Sequence, residues 1–155
     1  TLPETLYNHT QTIQNTDGLI TTSTSHILAV KWADCLPIII YHPKKILCVL
    51  HAGRKGTTKK ILEIALNKLI QIAGTNECFE IYMGPHICET CYEINATKNT
   101  HFNLLKTNIH QLKKVIPLNK TKLHIKTHCT VCHHTYYSYR KSKTKKRNYL
   151  FCSLQ

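Results

Sequence analysis

The fold is decided by the stretch Leu36-Pro37-Ile38-Ile39-Ile40, followed after a short polar break by Ile46-Leu47-Cys48-Val49-Leu50. Both runs are short, apolar and rich in β-branched side chains, which predicts two strands. Because the apolar residues are continuous rather than alternating, both faces of these strands are expected to be covered. The two runs therefore predict the centre of a sheet that lies between other layers.

Further strand signals lie on both sides of this centre: Leu19-Ile20-Thr21, Ile27-Leu28-Ala29-Val30, Phe79-Glu80-Ile81-Tyr82-Met83, Leu123-His124-Ile125 and Tyr149-Leu150-Phe151. Two amphipathic segments predict helices. The first has Thr57 or Thr58 as its N-cap and ends at Gly74, and the second ends before Pro117. No repeat or linker divides the chain, so we expect one α+β domain over residues 1–155, with mixed β-sheet layers flanked by helices.

Composition excludes some classes of protein and favours others. The 155 residues contain no apolar run near the length of roughly 18 that a membrane span needs. The formal net charge of +13 favours anionic partners. Eight cysteines without a recognisable leader favour reduced thiols and a cytoplasmic location. The chain does not begin with Met, so it is expected to start after processing or inside a longer gene product.

Two residues at predicted strand ends are candidates for a reaction centre. Cys35 precedes the first central strand, and His51 follows the second. After His51 comes the basic turn Gly53-Arg54-Lys55-Gly56, whose backbone N–H groups and cations suit an anion. Taken alone, however, Cys35 is better explained as a buried small hydrophobic residue, and His51 as an ordinary loop histidine.

Four groups of residues occur in a characteristic order: Ala33-Asp34-Cys35-Leu36-Pro37-Ile38, Val49-Leu50-His51-Ala52-Gly53, Met83-Gly84-Pro85-His86-Ile87 with Tyr92-Glu93-Ile94, and Cys129-Thr130 with Tyr137-Ser138-Tyr139-Arg140. In this order the chain resembles the YfiH-like family, the laccase-domain purine nucleoside phosphorylases. Asp17-Gly18-Leu19-Ile20-Thr21 is similar to the family's aspartate-containing strand. The resemblance implies a layered α/β/β/α fold.

The resemblance also implies a zinc site. Its ligands would be His9, Cys35 and His51, with the fourth tetrahedral position open, and Asp34 would support the site. An alternative role for Cys35 is that of a thiolate nucleophile paired with His51. Copper, which would support oxidation of phenols, is the weaker alternative metal.

The implied substrates are a purine nucleoside and phosphate. The family's activities are phosphorolysis of adenosine, inosine or methylthioadenosine, and deamination of adenosine. Arg54, Lys55 and Arg140 are the candidates for binding phosphate, and Tyr92 or Glu93 would reach the pocket. We expect a monomer or weak dimer.

The chain departs from the family pattern at several positions. Arg54 and Lys55 replace a tryptophan and an arginine, and a lysine loses the bidentate fork. The family's N-terminal segment has no counterpart before Thr1, so the chain is expected to be N-terminally shortened. A degenerate homologue without efficient catalysis is therefore one alternative.

The sharpest competing signal consists of two C-x-x-C pairs, Cys88/Cys91 and Cys129/Cys132. Two such pairs are typical of a structural zinc site. Their wide separation favours ordinary thiols instead, and a redox disulfide is a further alternative. Together with the positive charge, a zinc site here would indicate a basic zinc-ribbon module that binds nucleic acid without catalysis.

Overall fold

The computed structural model describes residues 11–155. Its strands are β1 (Gly18–Thr21), β2 (Ile27–Trp32), β3 (Leu36–His42), β4 (Ile46–Ala52), β5 (Glu80–Met83), β6 (Glu93–Asn95), β7 (Thr100–His101), β8 (Lys122–Ile125) and β9 (Asn148–Ser153). Its helices are α1 (Arg54–Thr58), α2 (Ile61–Ala73), α3 (Leu104–Val115) and α4 (Tyr139–Ser142), with a 3₁₀ turn at Leu118–Lys120.

The central sheet has five strands in the order β1-β4-β3-β5-β8. Its pairs are antiparallel except for the last, in which β8 runs parallel to β5. The helix α3 lies between β5 and β8 in the chain, as a parallel connection requires. Parallel strands end at the same edge of a sheet, so the segments after β5 and β8 start beside each other.

The central strand β4 is covered on both faces, as its continuous apolar run predicts. Side chains of alternate residues point to opposite faces of a strand. In β4, Cys48 and Leu50 pack in the main core with α2 and α3, whereas Leu47 and Val49 pack against β2 and β9. The result is one domain with three layers: the helices α2 and α3, the mixed central sheet, and the two-stranded sheet of β2 and β9.

The first long helix begins later than the sequence predicts. Thr57 and Thr58 are not its N-cap, because Gly53 starts the separate short helix α1 and Lys60 precedes α2 in a left-handed conformation. Thr57 is fully buried, and its hydroxyl accepts a hydrogen bond from Asn108 Nδ2 at 3.0 Å. Its hydroxyl is therefore used to hold α1 against α3.

The end of α2 agrees with the sequence prediction, and α3 begins at a typical cap residue. Gly74 ends α2 in a left-handed conformation, and its N–H donates to the Ile70 carbonyl. Asn103 caps α3 by accepting from the Lys106 N–H.

Among residues 11–155, no helix combines the length and the apolar character that crossing a membrane demands.

Candidate active-site cleft and cysteine cluster

An open cleft of about 580 Å³ lies where the β2–β3 turn, α1, β6 and α4 meet. Several polar or charged side chains line it: Asp34, Cys35, Arg54, Tyr92, Glu93, Asn95, Tyr139, Arg140 and Lys143. The cleft thus contains six residues that the sequence singles out: Asp34, Cys35, Arg54, Tyr92, Glu93 and Arg140.

Asp34 connects several loops beneath this cleft. One of its carboxylate oxygens accepts from Thr130 Oγ1 and the other from the Arg140 N–H, each at 2.7 Å. Its carbonyl accepts from the Ile87 N–H at 2.9 Å. Asp34 itself is buried and has a positive φ of 86°. Both carboxylate oxygens thus hold neighbouring segments, one the segment of Thr130 and the other the start of α4 at Arg140.

Cys35 is half-buried and lies against Gly53. A Cβ at Gly53 would be 3.0 Å from Cys35 Sγ and 3.6 Å from His51 Cε1, so the thiol and the imidazole flank the same glycine. Burial, followed by the nearby charges of Asp34 and Asp17, raises the pKa of the Cys35 thiol to about 11. At neutral pH the thiol is therefore protonated unless a cation lies beside it.

His51 is held by a carboxylate. Its Nδ1 lies 2.9 Å from Asp17 Oδ1, and its backbone N–H donates to the Asp17 carbonyl at 2.7 Å. The antiparallel pairing of β1 with β4 brings the two residues together. A carboxylate on one ring nitrogen is the usual way of orienting a metal-binding histidine through the other. The amino-acid sequence alone does not indicate this role for Asp17.

Arg140 packs against Tyr92 in the cleft. The Arg140 guanidinium carbon lies 5.7 Å from the centre of the Tyr92 ring, and Arg140 Nη2 donates to the Glu93 carbonyl at 2.6 Å. Lys143 lines the cleft too, although the sequence analysis does not select it. Lys55, next to Arg54 on α1, is exposed and is not one of the lining residues.

His9, the first of the expected zinc ligands, lies outside the described residues. Tyr92 and Glu93 line the cleft, as the family resemblance implies. Thr130, which bonds Asp34, belongs to a quoted family motif, but nothing in the local sequence indicates a partner 96 residues away.

The fold also brings together the two C-x-x-C pairs. From the sequence alone, a zinc site shared by the two pairs is the less favoured interpretation. The sulfur atoms of Cys88, Cys91, Cys129 and Cys132 all lie within 4.8 Å of one another. Such a group is close enough to hold a metal ion. The cluster is separate from Cys35 and His51.

Comparisons with known proteins agree with this architecture. The sequence model of a family described as multi-copper polyphenol oxidoreductase laccase matches residues 4–151. The chain belongs to this YfiH-like, laccase-domain family. The solved structure of Bacillus licheniformis YfiH has a TM-score of 0.78 at 25% identity, covering 90% of this chain and 62% of that one. YlmD of Geobacillus stearothermophilus, with the same TM-score at 22% identity, covers 88% and 60% and supports the fold alone.

Relatives within the family carry enzyme names. A purine nucleoside phosphorylase of Campylobacter jejuni is 31% identical over 84% of this chain and 63% of its own length. The adenosine deaminase RL5, from an unknown prokaryotic organism, is 32% identical over 59% of this chain and 37% of its own length. The chain thus spans less than two thirds of the length of these family members.

Proposed function

We propose that this chain is a zinc-dependent purine nucleoside enzyme, acting by phosphorolysis of adenosine, inosine or methylthioadenosine and by deamination of adenosine. The observation that carries the proposal is the position of Cys35, which flanks Gly53 beside the Asp17–His51 pair and opens into a cationic cleft. The names of the relatives supply the substrate class.

The residues present fit a catalytic zinc ion. Cys35 Sγ and His51 Nε2 would bind it, because Asp17 occupies the other ring nitrogen of His51. His9 is the proposed third ligand, which leaves one tetrahedral position for water or substrate. Zinc in such a site supplies an activated water or a polarised substrate oxygen.

The side chains of the cleft would bind the two substrates. Phosphorolysis joins a phosphate oxygen to ribose C1′ while the bond from C1′ to the purine nitrogen breaks, so an anion must be held beside the sugar. Arg54, Arg140 and Lys143 supply cations for that anion. Tyr92 offers an aromatic surface to the purine in the same cleft.

Deamination in the same cleft would use water in place of phosphate. A water oxygen bonds to purine C6 and ammonia leaves, without any need for phosphate. The two reactions therefore differ in their products and in their dependence on phosphate, which provides a direct test.

The test is product analysis after zinc-loaded protein is incubated with adenosine, with and without phosphate. Adenine formed only with phosphate identifies phosphorolysis, and inosine formed without phosphate identifies deamination. Cys35→Ala should abolish either product, whereas Cys78→Ala, at an exposed thiol, should retain it. No product above the Cys35→Ala control would refute nucleoside chemistry for this chain and favour a degenerate homologue.

A second candidate is a nucleic-acid-binding module. Aromatic and basic side chains interleave on α4 and the segments around it: Lys143 Nζ lies 5.0 Å from the Tyr139 ring centre, and Lys146 Nζ lies 5.6 Å from that of Tyr137. Salt-sensitive binding of a single-stranded oligonucleotide that survives Cys35→Ala but is lost with Cys88→Ala would favour this candidate.

Elemental analysis of the same protein samples shows whether the bound metal is zinc or copper.

A further inference from the structure

We infer a second metal site, a structural zinc ion bound by the four thiolates of Cys88, Cys91, Cys129 and Cys132. With Zn–S bonds of about 2.3 Å, the sulfur atoms of a tetrahedral site lie about 3.8 Å apart. The Cys91 and Cys132 sulfurs are 3.6 Å apart, and all four lie within 4.8 Å of one another. The four thiols are thus grouped at nearly the spacing that a bound zinc ion imposes.

The backbone brings the two pairs together through the parallel strands. Cys88 and Cys91 follow β5, whereas Cys129 and Cys132 follow β8, and these strands end at the same edge of the sheet. Pairing continues beyond the strands, because the Thr130 N–H donates to the His86 carbonyl at 3.1 Å. The Cys88 N–H points at Cys129 Sγ at 3.3 Å, and such an amide stabilises a sulfur that carries negative charge.

The donor set suits zinc, for which four cysteines are a recognised structural ligand set. Four cysteines close the coordination sphere without a position for substrate, which is the arrangement of structural rather than catalytic zinc. The four thiolates and the ion would together carry two negative charges, in a chain whose formal net charge is +13. All four cysteines are free thiols in this structure, and 3.6 Å is far beyond the roughly 2.05 Å of a disulfide bond.

The site is placed to order the cleft. Cys91 directly precedes Tyr92, which lines the cleft, and Cys129 directly precedes Thr130, which bonds the Asp34 carboxylate. Residues 126–138 contain no helix or extended strand, so their backbone hydrogen bonds are those of turns and of one isolated bridge between His86 and Cys129. The zinc ion therefore links the loop that brings Tyr92 to the cleft with the loop whose Thr130 holds Asp34, independently of the chemistry at Cys35.

The inference is tested in a Cys35→Ala background, which removes the other expected metal site. Zinc and free thiols are measured in the full chain purified with zinc, and cobalt replaces zinc for spectroscopy. We expect about one zinc per chain and a cobalt spectrum typical of four thiolate ligands. Removing the metal should raise hydrogen exchange across residues 126–138.

Three variants separate ligation from folding. Adding Cys91→Ser should cause loss of this zinc, whereas Cys91→His should retain it, since three cysteines and one histidine also bind structural zinc. Cys78→Ser, at an exposed thiol, should leave the metal content unchanged. A metal-free Cys35→Ala protein, zinc retained with Cys91→Ser, or a disulfide between Cys91 and Cys132 would overturn the inference.

Discussion

Replacing Gly53 with alanine should weaken metal binding at Cys35 while leaving the fold intact. Gly53 has φ −75° and ψ 173°, a conformation that alanine adopts without strain. The added Cβ would lie 3.0 Å from Cys35 Sγ, whereas unstrained contacts between such atoms are about 3.5–4.0 Å. The sulfur must therefore move by roughly half an ångström, and ligand distances in metal sites tolerate only about 0.2 Å.

From this displacement we expect zinc affinity at the Cys35 site to fall by about 10- to 100-fold, or roughly 1.4–2.8 kcal/mol. The assay is competition for zinc with a chromogenic chelator, performed in a Cys91→Ser background so that one site is measured. The matched control is Gly56→Ala, where the new Cβ would meet Ile61 and the His51 carbonyl at 3.6 Å or more. An unchanged zinc affinity in a folded Gly53→Ala protein would refute the placement of zinc on Cys35.

Three further perturbations test the contacts around the cleft and the core. Asp17→Asn should weaken zinc binding about tenfold in the same chelator assay, because the Nδ1 of His51 loses its carboxylate; unchanged affinity would contradict that orientation. Thr130→Val should lower the free energy of unfolding by about 1–3 kcal/mol in denaturant titrations, since a buried oxygen of Asp34 loses its donor; a neutral effect would contradict the contact. Burial, followed by the charge of Lys44, lowers the pKa of the His42 imidazole below 6.5 in the folded protein. The unfolded chain therefore protonates His42 more readily than the folded protein does. The stability that neutral His42 contributes is complete above pH 6.5 and is lost as the pH falls through the folded pKa. His42→Asn should reduce that loss, and an identical pH profile of stability would refute the assignment.

Local patterns suffice for the centre of the fold. The continuous apolar runs predict β3 and β4 and their coverage on both faces, because only buried positions make a strand apolar throughout. They do not predict the start of α2. Thr57 has the side chain of an N-cap, yet tertiary contacts with α3 bury its hydroxyl instead.

Sequence reasoning identifies parts of the cleft but not the contacts that organise it. The pairing of Asp17 with His51 depends on the register between β1 and β4, which residues 34 positions apart do not reveal. Likewise, Cys91 and Cys132 are 41 positions apart, and only the parallel pairing of β5 with β8 brings their segments together. Composition and spacing identify candidate ligands, whereas non-local strand pairing determines which of them meet.

The most direct test of the proposed reaction centre is a crystal structure of the zinc-loaded chain, with anomalous scattering measured at the zinc absorption edge. The account predicts a zinc peak within bonding distance of Cys35 Sγ and His51 Nε2. Full zinc occupancy among the four clustered cysteines with no peak at Cys35 would contradict the proposed catalytic site.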